Sequence, residues 1–150
     1  MDYEKWKSAR QLTEETLLST ASSFMGVPYF WGGNSYKGVD CSGFMSQVFW
    51  INGLELPRDA SLQVLEGKAV DTELNFDDLQ IGDLLFFGRM KTDMADAKVV
   101  HVGMWVGNGR FIHSQGRVRI SSFNADDPYF DEYNLNRFLC ARRVLPGKNI

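Results

Sequence analysis

The sequence predicts an α+β domain in which N-terminal helices pack on a central antiparallel β-sheet. Three observations point there. Two helical apolar patterns occupy the first third of the chain. Strand-like stretches then follow one another from Leu84 to Val144 with no long helix between them. A hairpin signal, Gly107-Asn108-Gly109, joins two of those stretches. At 150 residues the chain makes one domain of ordinary size. A chain of this length typically buries about 70% of its unfolded surface, enough for a core without staples.

Thr13 can cap a first helix whose apolar positions, Leu17, Leu18, Ala21, Phe24 and Met25, recur at three and four, and Gly26-Val27-Pro28 stops it. A loop of glycine and aromatics follows, Tyr29 to Asn34. A second helix should run from the cap Asp40 to the stop Asn52-Gly53, with Cys41, Phe44, Met45, Val48 and Phe49 facing inward. Pro57 to Gly67 carries a short helical pattern with Leu62 and Leu65 as its main apolar positions. Residues 71–83 read as loop. Gly82-Asp83 introduces a strand, Leu84 to Phe87, and Arg89 to Lys98 is polar and aperiodic.

From Val99 to Val106 the residues alternate. Val100, Val102, Met104 and Val106 share one face, and Val99, His101, Gly103 and Trp105 the other. A two-residue turn at Asn108-Gly109 would put His113 on the face opposite His101. A three-residue loop, Gly107 to Gly109, pairs Gly103 with His113 and puts both histidines on one face, as diagonal neighbours roughly 7–8 Å apart. Gly109 can supply the left-handed residue such a loop needs, and the three-residue reading is adopted. Gly103 then leaves space on that face for a backbone or a substrate. Strands at Arg110 to Gln115, Val118 to Ser121 and Phe138 to Val144 complete the sheet, with loop over 124–137.

Composition excludes several classes of function. The apolar share is 44%, the charged share 23%, and Lys plus Arg (16) against Asp plus Glu (19) gives a net charge of −3. That balance offers no electrostatic footprint for nucleic acid and no basic run for an anionic membrane. Neither a signal-peptide core at Met1 to Gln11 nor a membrane-length apolar stretch occurs, so the chain reads as soluble, either cytosolic or a mature domain cut from something longer. Two cysteines, Cys41 and Cys140, make a disulfide framework improbable. Cys140, in the apolar stretch Phe138 to Ala141, reads as core.

Cysteine catalysis needs a thiolate, a base to make it and a group that holds the base in one tautomer. Cys41 at a helix start should have a lowered pKa, because the unpaired N–H groups there favour the anion. His101 is the candidate base and His113 its orienter, and the chain has no other histidine. Plainer readings exist for each residue. A single buried cysteine is usually inert, Asp40 can be a cap alone, and Tyr29 and Trp31 can be loop packing. A Cys41/His101/His113 metal site lacks the spacing of known ligand motifs.

Together these residues match a pattern. Tyr29-Phe30-Trp31-Gly32-Gly33, Asp40-Cys41-Ser42-Gly43-Phe44, Pro57-Arg58-Asp59-Ala60, Leu79 to Phe87 and His101-Val102-Gly103 through His113 resemble the NlpC/p60 cell-wall peptidases over roughly residues 13–145. The segments from Gly116 and from Ala141 resemble the subgroup that trims murein peptides. The resemblance implies a papain-like fold, with residues 1–12 an N-terminal extension, 13–145 the catalytic domain and 146–150 a tail.

It also implies hydrolysis of the amide between γ-D-glutamate and a diamino acid of peptidoglycan stem peptides. Cys41 would be nucleophile, His101 base and His113 the third polar residue. Tyr29, Asp40 and Ser42 would hold the substrate's amino end, and Trp31, Arg58 and Asp59 would line the same cleft. No cofactor or metal is expected, and the protein is expected to be a monomer. Two departures stand out. Ile81 replaces the family's usual proline, and only twelve residues precede Thr13, where relatives often carry an SH3-like module. An amidase or acyltransferase acting on another amide or a lipid, and a wall-binding domain with an idle site, are the alternatives.

Overall fold

Thr13 starts the first helix as expected, and it does so reciprocally. Its hydroxyl accepts from the Thr16 amide at 3.1 Å while the Thr16 hydroxyl accepts from the Thr13 amide at 3.0 Å. The computed structural model describes residues 12–145. Residues 1–11 of the expected N-terminal extension, and the tail 146–150, lie outside the described residues. Helix α1 (Glu14–Ser23) buries Leu17 and Ala21, and Phe24 is buried just beyond its end, whereas Met25 is exposed.

A two-stranded hairpin, β1 (Asn34–Ser35) and β2 (Gly38–Val39), leads into α2 (Cys41–Ile51). Asp40 caps α2 by accepting from the Gly43 amide at 2.7 Å. The five inward positions expected for this helix, Cys41, Phe44, Met45, Val48 and Phe49, are all buried. Gly43 is required by packing. A Cβ there would collide with the Gly33 carbonyl, the group that accepts from the Asp40 amide at 3.0 Å.

Just beyond α2 the expected helical pattern fails. Only Ala60–Gln63 (α3) is helical, and Leu62 and Leu65 are exposed, while Ala60 and Gln63 are buried. Gln63 is held inside by donating to the carbonyls of Ser42 and Pro57 and to the Ser46 hydroxyl. These donor contacts, not apolar periodicity, fix which face turns in, although Gln63 Oε1 is buried without a hydrogen-bond partner.

The main sheet contains six strands in the order β3-β8-β4-β5-β6-β7, every neighbouring pair antiparallel. The strands are β3 (Lys68–Val70), β4 (Leu84–Arg89), β5 (Lys98–Gly107), β6 (Arg110–Gln115), β7 (Arg117–Ser122) and β8 (Phe138–Arg143). A short helix, α4 (Glu132–Leu135), interrupts the stretch expected to be loop. One sheet face packs on α1 and α2 through Leu84, Phe86, Val102, Met104, Ile112 and Val118. The other carries an aromatic layer that includes Phe87, Trp105, Phe111 and Phe123.

Two bulges alter the expected alternation in β5. Opposite Gly88 the strand carries an extra residue, so Val99 rather than Val100 joins the helix-side core and Val100 is exposed. At the other end the turn has two central residues, Asn108 (φ 56°) and Gly109 (φ 79°), not the three expected, with Gly107 paired to Arg110. Val106 is bulged out of the pairing. That one extra residue restores Gly103 opposite His113, so both histidines share a face after all. Cys140, expected in the core, is half-buried at its rim.

Candidate active site

His101 and His113 project from β5 and β6 into the aromatic layer, and their rings meet edge to face with centroids 5.1 Å apart. His101 Nε2 lies 2.8 Å from His113 Nδ1. Phe87 and Phe111 flank the pair, and both histidines are buried. Gly103 makes this contact possible. A Cβ at that position would stand 3.0 Å from the His113 Cβ, so the space expected for a substrate is taken by the histidine itself.

Cys41 arrives from the helix side. Strand β6 pairs with β5 only as far as Gly103↔His113, and the sulfur meets β5 one residue beyond, beside the Val102 backbone. Val102 follows His101 in the chain. The helix therefore sets its first residue against the strand that carries the candidate base. Cys41 is buried, with 9% of the residue exposed.

The electrostatics reverse the expectation for the thiol. Burial pushes the Cys41 pKa up, and the adjacent Asp40 carboxylate adds to the rise, against hydrogen bonds from the backbone of Val102, Ser42 and Cys41. Burial likewise holds His101 well below its ordinary value, with His113 and Arg137 adding to it. Each group alone is thus kept neutral. Moving the proton from sulfur to imidazole creates both charges at once, as an ion pair, so neither is buried unpaired.

His113 is lowered to about 4 by burial, with Arg119 and Arg137 also opposing its protonation and Asp131 favouring it. Its ordinary value is 6.5. Between those two values the unfolded chain takes up a proton that the native protein refuses. Stability present above about pH 6.5 is therefore lost as pH falls toward 4. The expected loss from this group is on the order of 3 kcal/mol. Urea unfolding at pH 7 and pH 4.5 checks it, and His113→Gln should reduce the dependence, with His101, also held low by burial, retaining the rest. A wild-type midpoint that does not move over that interval contradicts the assignment.

Four further sequence candidates gather beside Cys41. Asp40 Oδ1 accepts from the Gly43 amide (2.7 Å) and the Ser42 hydroxyl (3.5 Å), and Oδ2 accepts from the Gly32 amide (3.0 Å) and Arg58 (2.9 Å). Arg58 also donates to the Ser42 hydroxyl at 2.9 Å. Tyr29 is close enough that Cys41 and Asp40, with burial the larger cause, raise its phenol pKa. Four donors already converge on the Asp40 carboxylate, so a substrate ammonium would join an occupied group. Trp31, at 84% exposed, projects into solvent from the loop before this cluster. Asp59 occupies the N-cap position of α3 without a capping bond from its side chain.

Residues that the sequence reading missed stand behind His113. His113 Nε2 lies 2.8 Å from the Ser121 hydroxyl and 3.9 Å from Asp131 Oδ2. The Gly116 turn contains the signal that could have found Ser121. It pairs Gln115 with Arg117 and His113 with Arg119, which puts Ser121 on the histidine's face. Among the described residues, no group of three or more His, Cys, Asp or Glu side chains is placed to hold a metal ion. No helix among them is long and apolar enough to cross a membrane.

Comparison with known proteins gives a consistent set of similarities. The family model described as NlpC/P60 family matches residues 26–139. The gamma-D-glutamyl-L-lysine dipeptidyl-peptidase of Bacillus subtilis (strain 168) is 43% identical over 107 residues, covering 71% of this chain and 34% of its own length. The Bacillus cereus (strain ATCC 10987) protein of the same name is 39% identical over 135 residues, covering 88% and 37%. The chain thus spans about a third of the length of these curated relatives. Among solved structures, an NlpC/P60 family protein from Bacillus cereus ATCC 10987 superposes with a TM-score of 0.75 at 36% identity, covering 89% of this chain and 41% of that one.

Proposed function

Since the chain belongs to the NlpC/P60 family, we propose that it is a cysteine peptidase that cuts the amide between γ-D-glutamate and a diamino acid in peptidoglycan stem peptides. The observation that carries the reading is the convergence at β5. A cysteine at a helix start meets the backbone of Val102, and the neighbouring His101 is tied at 2.8 Å to His113. The names of the two Bacillus relatives support the substrate class.

In this mechanism His101 Nδ1, the ring nitrogen not engaged by His113, takes the Cys41 proton as the sulfur attacks the γ-glutamyl carbonyl. In this reading the Cys41 amide at the helix start, with the Tyr29 hydroxyl, meets the oxyanion. The imidazolium then protonates the leaving amine, the amide bond breaks, and a thioester remains on Cys41. Water, deprotonated by His101, hydrolyses that thioester and returns the thiol. Tyr29, Asp40 and Ser42 take the amino end of the substrate, and Arg58, bonded to Asp40 and Ser42, lines the same cleft.

The test is incubation with L-Ala-γ-D-Glu-diamino acid tripeptide and with its muramyl-linked form, the products read by mass. Release of free diamino acid from the tripeptide is expected. An intact tripeptide, with both lysine and diaminopimelate versions tried, contradicts the substrate assignment.

A further inference from the structure

The hydrogen-bond chain through the two histidines does not stop at His113. We propose that Ser121 and Asp131 are positioning residues that fix the polarity of this chain and so keep His101 Nδ1 free of its proton. The inference rests on the reading of Cys41 and His101 as nucleophile and base.

Donor and acceptor roles set the direction. The links are His101 Nε2 to His113 Nδ1 at 2.8 Å and His113 Nε2 to Ser121 Oγ at 2.8 Å, with the Asp131 carboxylate 3.9 Å from His113 Nε2. Imidazole and hydroxyl can each donate or accept, so the first three members can run in either direction. An ionised carboxylate can only accept. With the Asp131 carboxylate facing His113 Nε2, the proton of that ring is held on Nε2, so His113 donates from Nε2 to Ser121 and His101 donates from Nε2 to His113 Nδ1. The proton of neutral His101 is thereby confined to Nε2, and Nδ1 is bare. In the opposite polarity the proton sits on Nδ1, and the ring cannot accept from the thiol.

Asp131 is built to remain an acceptor. Its carboxylate takes the Asn134 amide at 3.0 Å and the Asn134 side chain at 2.6 Å, and Asn134 is itself buried and held by Arg137 at 2.8 Å. These bonds, with Ser121 and His113, hold its pKa below the usual value although burial acts against them. The charged groups facing this end of the chain are Arg119 on β7, Arg137 after α4 and Asp131 before it. The two arginines oppose a positive charge on His113, and Asp131 favours one. Beside them lies a cavity of about 410 Å³, lined in part by Arg119, Ser121, Tyr129 and Asp131, which gives the far end its contact with solvent.

With two histidines in the chain, ¹⁵N NMR of the rings reads the tautomers directly. The wild-type protein should show both rings protonated at Nε2. Asp131→Asn keeps a side chain able to cap α4 but removes the charge that faces His113 Nε2, so both rings should shift toward Nδ1–H. The rate of Cys41 alkylation by iodoacetamide, followed by peptide mass to separate it from Cys140, should fall by about tenfold or more at pH 7, with its low-pH limb moved upward. Should Asp131→Asn not fold, Ser121→Ala cuts the same chain without touching the cap and should lower alkylation similarly.

A wild-type His101 protonated at Nδ1 overturns the proposal. So does an Asp131→Asn or Ser121→Ala protein that keeps the wild-type tautomers and alkylation profile. These readouts need no substrate. If they come out as expected while the tripeptide stays uncut, the relay stands and the substrate assignment alone falls.

Discussion

Cys41→Ala is expected to lower turnover of the tripeptide by about 10⁴-fold or more while leaving the fold in place. The sulfur is the only protein atom in the proposed reaction that bonds to the substrate carbon. The structural cost should be small. Cys41 sits at the edge of the helix-side core with 9% exposure, and alanine retains its Cβ and its place in the first turn of α2. A loss of about 1 kcal/mol is the expected scale for so small a truncation. Activity and thermal midpoint measured on the same preparation separate the two effects. Turnover within tenfold of wild type removes Cys41 from the mechanism.

The second large effect is an ordering. His101→Ala should cost about 10³-fold or more, because it removes the group that takes the thiol proton and later delivers it to the leaving amine. His113→Ala should cost less, roughly 10- to 100-fold, since His101 would still be present and would merely lose the partner on Nε2 that selects its tautomer. His113 is completely buried with both ring nitrogens bonded, so its removal should in turn cost more stability than that of His101. kcat normalised to folded protein keeps the comparison fair. Equal losses, or a larger loss at His113, would reverse the roles.

The first two helices and the strands from Leu84 onward were legible along the chain because their signals are local. Thr13 and Asp40 are capping residues followed by inward positions at three and four, and both helices start where those residues stand. What escaped depends on contacts far apart in sequence. Strand β3 is three residues long and mostly exposed, and it exists because β8, some seventy residues later, pairs with it. In α3 a glutamine faces inward and a leucine outward because three acceptors await the Gln63 amide, and no periodicity reveals acceptors.

The site shows the same division. That His101 and His113 share a face was foreseen, but by a loop of the wrong length. Asn108-Gly109 makes the tight turn its sequence favours, and the bulge at Val106, invisible to an alternation count, restores the register. The lowered thiol pKa expected of a helix start was likewise a local argument, and it lost to burial, which is a property of the whole fold. Asp131 lies ten residues beyond Ser121, in a stretch that reads as loop. Only the docking of α4 beside His113 gives it a place beside the chain of hydrogen bonds.

The most direct measurement is to stop the reaction with acid within milliseconds to seconds of mixing with L-Ala-γ-D-Glu-diamino acid and to weigh the peptides of the digested protein. The account predicts an L-alanyl-γ-D-glutamyl group on the peptide that carries Cys41, removable by hydroxylamine and absent from the Cys41→Ala protein. Free diamino acid accumulating with no such adduct, or with the adduct on the Cys140 peptide instead, would contradict it.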